Sequence, residues 1–460
     1  MTHWIFVVLI SFLWLPFAFT QEGAGLIYGN YNGLSSASIN PSAILKSKHK
    51  WEFQLGGLHL NVQSNYGFIA KSSLNSLAKE MNQIFTESDG VNPNQGDFVF
   101  NNNDKLKFFD SKVNLLGPGF MFSINPYTKI GISSSIKSAF SVFGIPTIFN
   151  YDNLKINLRN QEVTVPNRNA AGMIWEEVAF HYASFWDQVD FGATLKLLMP
   201  LHVGYVNNVN DFSYDLDSDS NLLALSSGMV EFGYKNPTKD NFLERIGIGF
   251  ALDLGWQFPN FLDSNSSLGI SILDLGVSKV NASKYSVLIS ENQSINTIPY
   301  EFVMNETEFL ELSQSDDLNV DSVSYFMLYS PTAISVQYQI PISKKLIFNA
   351  AIVQRVKLFD QQIARANSIN GTLMYETKHF SAFMPISLYN FSKVRMGLAF
   401  RIGYLTIGTD KLVGTLWKDN SFDGADFYIK LNAYPFWKKR KKKHKKKEKI
   451  KGKKVRCPKI

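Results

Sequence analysis

The chain has 460 residues, of which 45% are hydrophobic and 14% aromatic, and this is enough for one large domain or two ordinary ones. Beyond the N-terminal region, charged or polar side chains interrupt every apolar run within a few positions, which excludes a helical membrane protein but not a membrane β-barrel. The single cysteine, Cys457, excludes internal disulfides and cysteine-based zinc sites in a monomer.

Residues 1–20 are predicted to be a secretory signal peptide. They contain the one long apolar run of the chain, residues 4–19. Ala18 and Thr20 occupy the small-residue positions before the expected cut. No Lys or Arg precedes the run, so the sequence supports export more strongly than it supports a particular cleavage site. An uncleaved anchor is the alternative.

Residues 21–50 are predicted to form a compact segment without a regular helix or strand. Small residues, glycines and the step from Asn40 to Pro41 disfavour regular structure between Gly25 and Ile44. A single β-domain is then expected over residues 51–437.

Strict alternation of large apolar residues with small or charged residues predicts strands over most of this domain. Residues 246–258 and 394–404 show it most clearly, and the latter run has eleven residues, which matches the length of a tilted strand that crosses a bilayer. Shorter copies begin at Trp51, Ile130, Val189, Thr332 and Asp426. With the weaker runs, we expect about 14 antiparallel strands, within the range that membrane barrels adopt.

Three stretches between the strands are predicted to be loops or loop helices. Residues 73–87 have apolar side chains at helical spacing and predict one amphipathic helix in a long loop. Residues 207–227 and 281–321 are polar and acidic. Because membrane barrels place their long loops outside the cell, both stretches are expected to be extracellular loops.

The face of these strands that lacks the large apolar residues, which we call the second face, favours a membrane barrel over a soluble sandwich. It is rich in Gly, Ala and Ser, whereas the solvent-exposed face of a sandwich would carry Lys, Glu and Thr. Glycine inside a strand lowers stability and commonly marks the close approach of another backbone. Aromatic residues near strand ends, such as Trp256, Tyr404 and Trp437, suit interfacial girdles. We therefore predict an all-β protein, a transmembrane antiparallel β-barrel in the bilayer of a Gram-negative outer membrane.

Five stretches carry a family resemblance. They are Gly-Asn-Tyr-Asn-Gly at 29–33 followed by Asn40-Pro41, Leu-Asp-Leu-Gly at 273–276, Tyr-Glu-Thr-Lys-His-Phe-Ser-Ala-Phe-Met-Pro-Ile-Ser-Leu-Tyr at 375–389, Arg-Ile-Gly-Tyr-Leu-Thr-Ile-Gly-Thr-Asp at 401–410, and Gly-Ala-Asp-Phe-Tyr at 424–428. They resemble an uncharacterised outer-membrane family of Bacteroidota, a domain of unknown function similar to fatty-acid-transporter-type barrels and to the shuttle barrel of type IX secretion. The resemblance implies that the N-terminal segment folds into the lumen as a hatch. The hatch residues would be Asn30, Gly33, Asn40 and Pro41, and no substrate is implied.

Charged residues on the second face are predicted to point into the lumen. They are Asp190, Lys196, Asp253, Arg395, Arg401, Asp426 and Lys430. They could set solute selectivity, as charged rings do in pores, or they could pair with one another or with the hatch. The sequence leaves both roles open.

Catalysis is not expected. His181 and His202 lie on predicted strands, and a barrel hydrolase could use such a residue with an acid, but no matching serine motif is present. Phosphate-loop and dinucleotide-binding fingerprints are absent from the sequence, so we expect no metal and no cofactor.

Residues 438–460 hold 15 Lys and Arg and one acidic residue, Glu448, so the rest of the chain is net acidic. This tail is predicted to be disordered. Export argues against nucleic acid and favours an anionic partner such as lipid headgroups or the cell wall, although an unselected soluble tail is equally compatible.

The sequence therefore predicts a channel or transporter for a small solute, which could be hydrophobic. A non-transporting barrel that binds or scaffolds secretion or surface machinery is the alternative.

Overall fold

A computed structural model describes the chain over 12 ranges: residues 23–69, 98–101, 105–145, 163–165, 169–208, 212–216, 222–235, 243–261, 265–289, 298–299, 319–412 and 424–435. The predicted signal peptide (1–20), loop helix (73–87) and lysine-rich tail (438–460) lie outside the described residues.

Three short helices precede the strands: α1 (Ala24–Ile27) and the 3₁₀ helices η1 (Gly33–Ser38) and η2 (Pro41–Lys46). The strands among the described residues are β1 (Trp51–Ser64), β2 (Gly67–Ile69), β3 (Phe98–Phe100), β4 (Lys107–Asn125), β5 (Thr128–Ile145), β6 (Val163–Val165), β7 (Asn169–Trp186), β8 (Val189–Asn208), β9 (Phe212–Leu216), β10 (Leu222–Lys235), β11 (Gly247–Pro259), β12 (Ser267–Val280), β13 (Ser283–Ile289), β14 (Ile298–Pro299), β15 (Asn319–Val323), β16 (Phe326–Tyr329), β17 (Ala333–Pro341), β18 (Leu346–Arg355), β19 (Ser368–Glu376), β20 (Phe380–Tyr389), β21 (Lys393–Met396), β22 (Leu398–Ile402), β23 (Leu405–Thr409) and β24 (Gly424–Ala433).

These strands form a closed antiparallel barrel of 14 strands, which confirms the predicted fold and strand number. Closure occurs at β1, which pairs with β4 on one side and with β24 on the other. The circuit runs β1, β4, β5, β7, β8, β11, β12, β17, β18, β19, β20, the interrupted strand β21 and β22, β23, and β24. Because the barrel closes, every wall strand that the structure describes has a hydrogen-bonded neighbour on both sides and none of these strands exposes an edge, as a lipid environment requires.

The two ends of the barrel differ. The chain enters at Trp51 and leaves at Ala433, close together, because Phe53 pairs with Ala433. The tight turns between β4 and β5, between β7 and β8 and between β22 and β23 lie at this same end. We call it the near end, and the opposite end, where the longer connections lie, the far end.

The prediction that residues 207–227 and 281–321 are loops was wrong in part. They contain β9, β13 and β14 and the beginnings of β10 and β15. At the far end β10 pairs with β8 and with β13, and β13 pairs with β15. Polar residues are compatible with such strands because the ladder hydrogen bonds do not depend on which side chains the strands carry.

The wall has the predicted two faces. On β11, Ile248 and Phe250 are 53% and 56% exposed on the outside, whereas Asp253 and Gln257 are buried inside. A continuous belt of exposed apolar side chains is unfavourable in water and is the expected surface of a barrel in lipid. None of the helices among the described residues is long and apolar enough to cross a membrane.

Aromatic side chains gather at the near end of the wall. Tyr127, Trp186 and Tyr404 are exposed beside the turns. Trp256, also predicted to lie in a girdle, is half-buried against Phe191, with ring centroids 5.9 Å apart. Trp437 lies outside the described residues. The near end therefore has the aromatic border that a membrane interface favours.

The prediction of one continuous strand over residues 394–404 was wrong. The run is divided into β21 and β22 at Gly397, opposite Pro385 of β20, which has no N–H to give to the ladder. Instead Gly397 N–H donates to the carbonyl of Pro385 at 2.9 Å. A Cβ on Gly397 would lie 2.2 Å from the carbonyl oxygen of Thr409, and Gly403 has φ +57 in the turn to β23. These two glycines therefore serve a break and a turn, not contact with the N-terminal segment.

Candidate functional site

The N-terminal segment lies inside the barrel, as predicted. We call residues 23–50 the hatch. Its apolar side chains are almost fully buried, among them Leu26, Leu34, Ile39 and Ile44. The expectation of no regular helix was wrong for more than half of the hatch, because Ala24–Ile27 form one turn of α-helix and Gly33–Ser38 and Pro41–Lys46 form 3₁₀ helices. A short helical plug therefore occupies the near half of the lumen.

The Asn40-Pro41 step is the point where the hatch meets the wall on β11 and β17. The Asn40 side chain caps η2, because its Oδ1 accepts from the N–H and the hydroxyl of Ser42 at 3.0 and 2.7 Å. Its Nδ2 donates to the carbonyl of Trp256 at 3.1 Å and to Gln337 Oε1 at 2.9 Å. One side chain thus caps a helix and binds two wall strands.

Two luminal glycines make this approach possible. A Cβ on Gly255 would lie 2.1 Å from Asn40 Oδ1, and a Cβ on Gly192 would lie 2.2 Å from the backbone nitrogen of Ser42. Any larger residue at either position would displace the hatch. At these two sites the sequence-based interpretation of luminal glycine as a place of close approach is confirmed.

Asn30 and Gly33 dock against acidic side chains of the wall. The backbone N–H of Asn30 donates to Glu376 Oε1 at 2.9 Å, and its Nδ2 donates to Oε2 at 2.6 Å. Gly33 has φ +55 and lies against Glu52, whose carboxylate a Cβ at this position would overlap. Both residues therefore lie where the hatch contacts the wall.

Luminal cations hold the near side of the hatch. Lys430 Nζ donates to the carbonyl of Asn32 at 3.0 Å and to Ser35 Oγ at 2.8 Å. The Arg401 guanidinium carbon lies 4.5 Å from the centre of the Tyr31 ring. Two of the predicted luminal charges therefore contact the hatch directly.

His49, at the end of the hatch, stacks on Tyr434 with ring centroids 3.8 Å apart. Its Nε2 finds no hydrogen-bond partner among the described residues. Burial, together with the cations Arg401, Lys129 and Lys378, lowers the pKa of His49 to about 4. The docked hatch therefore holds this imidazole neutral.

Of the other predicted charges, Asp190 acts electrostatically on Lys46 of the hatch. Burial lowers the pKa of Lys46 to about 8, and the charge of Asp190 opposes that effect. Asp426 is 3.2 Å from His59 Nε2 and accepts the backbone N–H of Asp410 at 2.7 Å.

Arg395 lies away from the hatch. Its guanidinium carbon is 4.0 Å from the Tyr389 ring centre, and its Nη2 is 3.4 Å from Asn61 Oδ1. Its neighbours are therefore wall residues.

A buried ion cluster lies farther up the lumen and contains the remaining two predicted residues, Lys196 and Asp253. Lys196 Nζ is 2.6 Å from Asp253 and 2.5 Å from Asp274. Asp274 also pairs with Arg365 at 3.2 Å. Because Lys196 contacts two carboxylates and Asp274 contacts two cations, Asp274 keeps one cationic contact if the other is lost.

A cavity of about 190 Å³, the inner cavity, separates this cluster from the hatch. On the hatch side its lining is apolar, with Leu26, Ile27 and Leu34. On the wall side it is charged and polar, with the ion cluster and a second pair, Lys137 and Glu177, 2.7 Å apart. The space can accept a ligand with one apolar side and one polar side.

A second inward-folded segment lies across the far half of the lumen. Residues 361–367, the outer segment, come from the connection between β18 and β19, and Ile363 within it is fully buried among luminal side chains. Ile363 N–H donates to the carbonyl of Tyr329 at 3.1 Å, and Ala364 N–H to Ser141 Oγ at 3.0 Å. Ala366 packs with Phe108 and Tyr389.

An outer cavity of about 450 Å³ lies against this segment. Its lining includes Phe143, Arg355 and Lys357 together with Ile363 and Arg365 of the outer segment. Arg365 lines the inner cavity as well. Arg365 of the outer segment is thus shared by the linings of the two cavities.

Sequence reasoning missed Asp274 and Arg365. Asp274 has φ +52 and lies where the register between β11 and β12 shifts. Before this point the odd-numbered residues of β12, such as Ser271, face the lumen, and after it the even-numbered residues, such as Ser278, do so. The loss of strict alternation after residue 273 is the signal that could have revealed it. Arg365 lies in a connection, where alternation gives no information.

A family comparison matches most of the chain. The model of the Family of unknown function (DUF5723) matches residues 41–410, and the chain belongs to this family. No curated protein matches the chain.

Distant likenesses exist among solved structures. The chain is similar to the P. putida toluene transporter TodX at 9% identity and a TM-score of 0.43, covering 89% of this chain and 95% of that one. It is also similar to a Pseudomonas aeruginosa FadL homologue at 11% identity and a TM-score of 0.41, covering 92% and 100%. These likenesses are too distant to assign a solute to this chain.

Proposed function

We propose that this member of the family is an outer-membrane channel that passes a small solute, and that the hatch is its moving barrier. The observation that carries the proposal is the buried cavity between the hatch and a closed barrel wall. A barrel that served only as a scaffold would not need a removable segment in front of such a space.

The inner cavity limits the size of the solute. Its volume of about 190 Å³ is close to that of an engineered apolar cavity of about 150 Å³ that binds benzene. A compact solute of one-ring size therefore fits. The apolar residues of the hatch would contact its body, and the polar wall would contact its other end.

Movement of the hatch is physically accessible. The hatch is held by hydrogen bonds, ring contacts and burial, and each hydrogen bond contributes only about 1 kcal/mol net. The wall, by contrast, is a continuous ladder of paired strands. A rearrangement of residues 25–46 would therefore open the lumen while the barrel stays intact.

The orientation follows from the same proposal. The signal peptide would export the chain, the near end would face the periplasm, and the far end would face the outside of the cell. The lysine-rich tail would then follow the last strand on the periplasmic side, where anionic lipid headgroups or another anionic partner can bind it.

A cross-link between hatch and wall tests the function. A Cβ on Gly131 would lie 2.7 Å from Leu34 Cδ2, so the substitutions Leu34→Cys and Gly131→Cys place two thiols within reach of a short cross-link. Cys457→Ser removes the only native thiol. In proteoliposomes we expect uptake of benzyl alcohol, a neutral one-ring probe, to fall to the protein-free level on oxidation and to return on reduction.

Each single-cysteine variant serves as the control, because oxidation cannot tether its hatch. Unchanged uptake through a barrel whose hatch is fully cross-linked would refute the hatch as the barrier. Uptake no faster than through protein-free vesicles, in the reduced protein as well, would refute the channel function itself.

The scaffold function is the second candidate, and the tail of residues 438–460 is the feature that favours it. Pull-downs with and without this tail distinguish the two functions: stable partners lost on truncation support a scaffold.

A further inference from the structure

We propose that the outer segment is a second barrier in the lumen, and that Arg365 within it is the binding point for an anionic group on the solute. The solute would be a compact molecule with one anionic group and an apolar body. The inference rests on the proposed function in that it names the chemistry of the solute and a second step in its path.

Arg365 lies between the two cavities. It lines both of them, and the segment that carries it is hydrogen-bonded to two separate parts of the wall, at Tyr329 and at Ser141. A solute that passes from the outer cavity to the inner cavity must displace this segment. The hatch and the outer segment are therefore barriers in series, with the inner cavity between them.

The charges that line the outer cavity favour an anion. The cations that face the outer cavity are Arg355, Lys357 and Arg365. Each has an acidic neighbour: Lys357 pairs with Asp360 at 3.0 Å on the exposed rim, Asp110 acts on Arg355, and Asp274 binds Arg365. The acids on Arg355 and Arg365 are not among the residues that line the outer cavity, whereas the cations are. The lining of this cavity therefore attracts an anion.

Asp274 contacts two cations. If Arg365 leaves Asp274 for an anionic solute, Asp274 keeps its contact with Lys196 at 2.5 Å and shares this lysine with Asp253 at 2.6 Å. Both carboxylates therefore keep a cationic contact, so the loss is smaller than when the last partner of a buried charge is removed. A planar guanidinium also binds a carboxylate or sulfonate through two parallel hydrogen bonds.

Apolar side chains lie beside these cations in the outer cavity. Leu106, Phe143 and Ile363 line the same cavity, and the Arg355 guanidinium carbon lies 4.5 Å from the Phe143 ring centre. A ring or short hydrocarbon can lie against these side chains while its anionic group reaches Arg365. Binding then breaks the contact between Arg365 and Asp274, and this removes one of the contacts that hold the outer segment in place.

Binding to the detergent-solubilised full chain is measured calorimetrically with three matched probes: benzoate, benzyl alcohol and benzylammonium. We expect benzoate to bind at least about tenfold more tightly than the other two, because a bidentate charge-assisted contact is the stronger one. Arg365→Gln is expected to remove most of that preference, and Arg365→Lys to keep part of it.

Arg245→Gln is the matched control. Arg245 pairs with Glu176 at 2.7 Å near the far end, is exposed, and lines neither cavity. Heat-dependent migration on a gel verifies that each variant remains a folded barrel. The control is expected to bind benzoate as the unmodified chain does.

Uptake of benzyl alcohol by proteoliposomes supplies an independent readout. Because Arg365→Gln removes the ion pair that ties the outer segment to Asp274, we expect uptake of this neutral probe to rise while benzoate binding falls. A folded Arg365→Gln barrel with unchanged benzoate affinity would overturn the inference and leave the proposed channel untouched. Loss of benzoate preference in a chain that transports none of the probes would support the binding point and refute the channel.

Discussion

The substitution Gly192→Ala tests the docking of the hatch with one added carbon. The new Cβ would lie 2.2 Å from the backbone nitrogen of Ser42 and 2.4 Å from the carbonyl carbon of Pro41. The clash is with backbone atoms, so a side-chain rotation cannot relieve it. Gly192 is held in the wall by pairing with Ala183 and Gly255, and we therefore expect the hatch to move and the wall to stay.

The size of the effect follows from two contributions. Overpacking of this kind destabilises by about 1 to 3 kcal/mol. A shift of η2 also strains the two hydrogen bonds from Asn40 to Trp256 and Gln337, each worth about 1 kcal/mol. A total of about 3 kcal/mol corresponds to a change of about 100-fold in the docking equilibrium.

Hydrogen exchange with mass spectrometry on residues 25–46 measures this equilibrium. The N–H of Ala43, which donates to the carbonyl of Asn40 at 2.9 Å, is expected to exchange about 100-fold faster in the variant. Gly204→Ala is the control on the same strand, because a Cβ there meets no atom within 4 Å. Wild-type exchange in a folded Gly192→Ala barrel would refute the reasoning.

Three further predictions concern the hatch and the tail. Asn40→Ala removes the cap of η2 and two wall contacts and is expected to weaken docking by about 2 to 3 kcal/mol, whereas Ser38→Ala, at an exposed hydroxyl, is expected to be neutral; the same exchange measurement compares them. His49 has a pKa of about 4 when docked against 6.5 when released, so only the released state takes up a proton as the pH falls through this window. The contribution of His49 to docking should be fully present above pH 6.5 and weaken by about 1 to 2 kcal/mol by pH 4.5 after allowance for solvent screening. Rate-corrected exchange of His49→Phe should lose this part of the pH dependence. Removal of residues 438–460 is expected to abolish salt-sensitive binding of the detergent-solubilised protein to phosphatidylglycerol vesicles; retained binding would contradict the proposed role of the tail.

The features that follow from local rules were predictable from the sequence. Alternation on β11 fixes which of its residues face lipid, since the side chains of a strand point to opposite faces. Glycine on the luminal face at Gly192 and Gly255 indicated a close neighbour, whereas the identity of that neighbour came from the family resemblance and not from a local rule. Lys430 and Arg401 were predicted to face inward, and their hatch contacts were one of the two roles left open.

The features that depend on tertiary context were not predictable. At Asp274 a residue with positive φ shifts the inward face by one position, and a rule of strict alternation cannot anticipate such a bulge. At Gly397 the interruption arises because Pro385 lies opposite, which requires the pairing to be known. Arg365 enters the lumen because its connection folds inward, and neither its composition nor its length indicates that.

The central claim is that the protein's own N-terminal segment closes the barrel and must move for a solute to pass. An experimental density map of the lumen, from protein extracted from its membrane without refolding, tests this most directly. Without solute, we expect density for residues 25–46 with Asn40 and Pro41 against Gly192 and Gly255; with benzoate, we expect that density to weaken or shift. An open, water-filled lumen without solute, or a hatch that keeps its position with solute bound beyond it, would contradict the account.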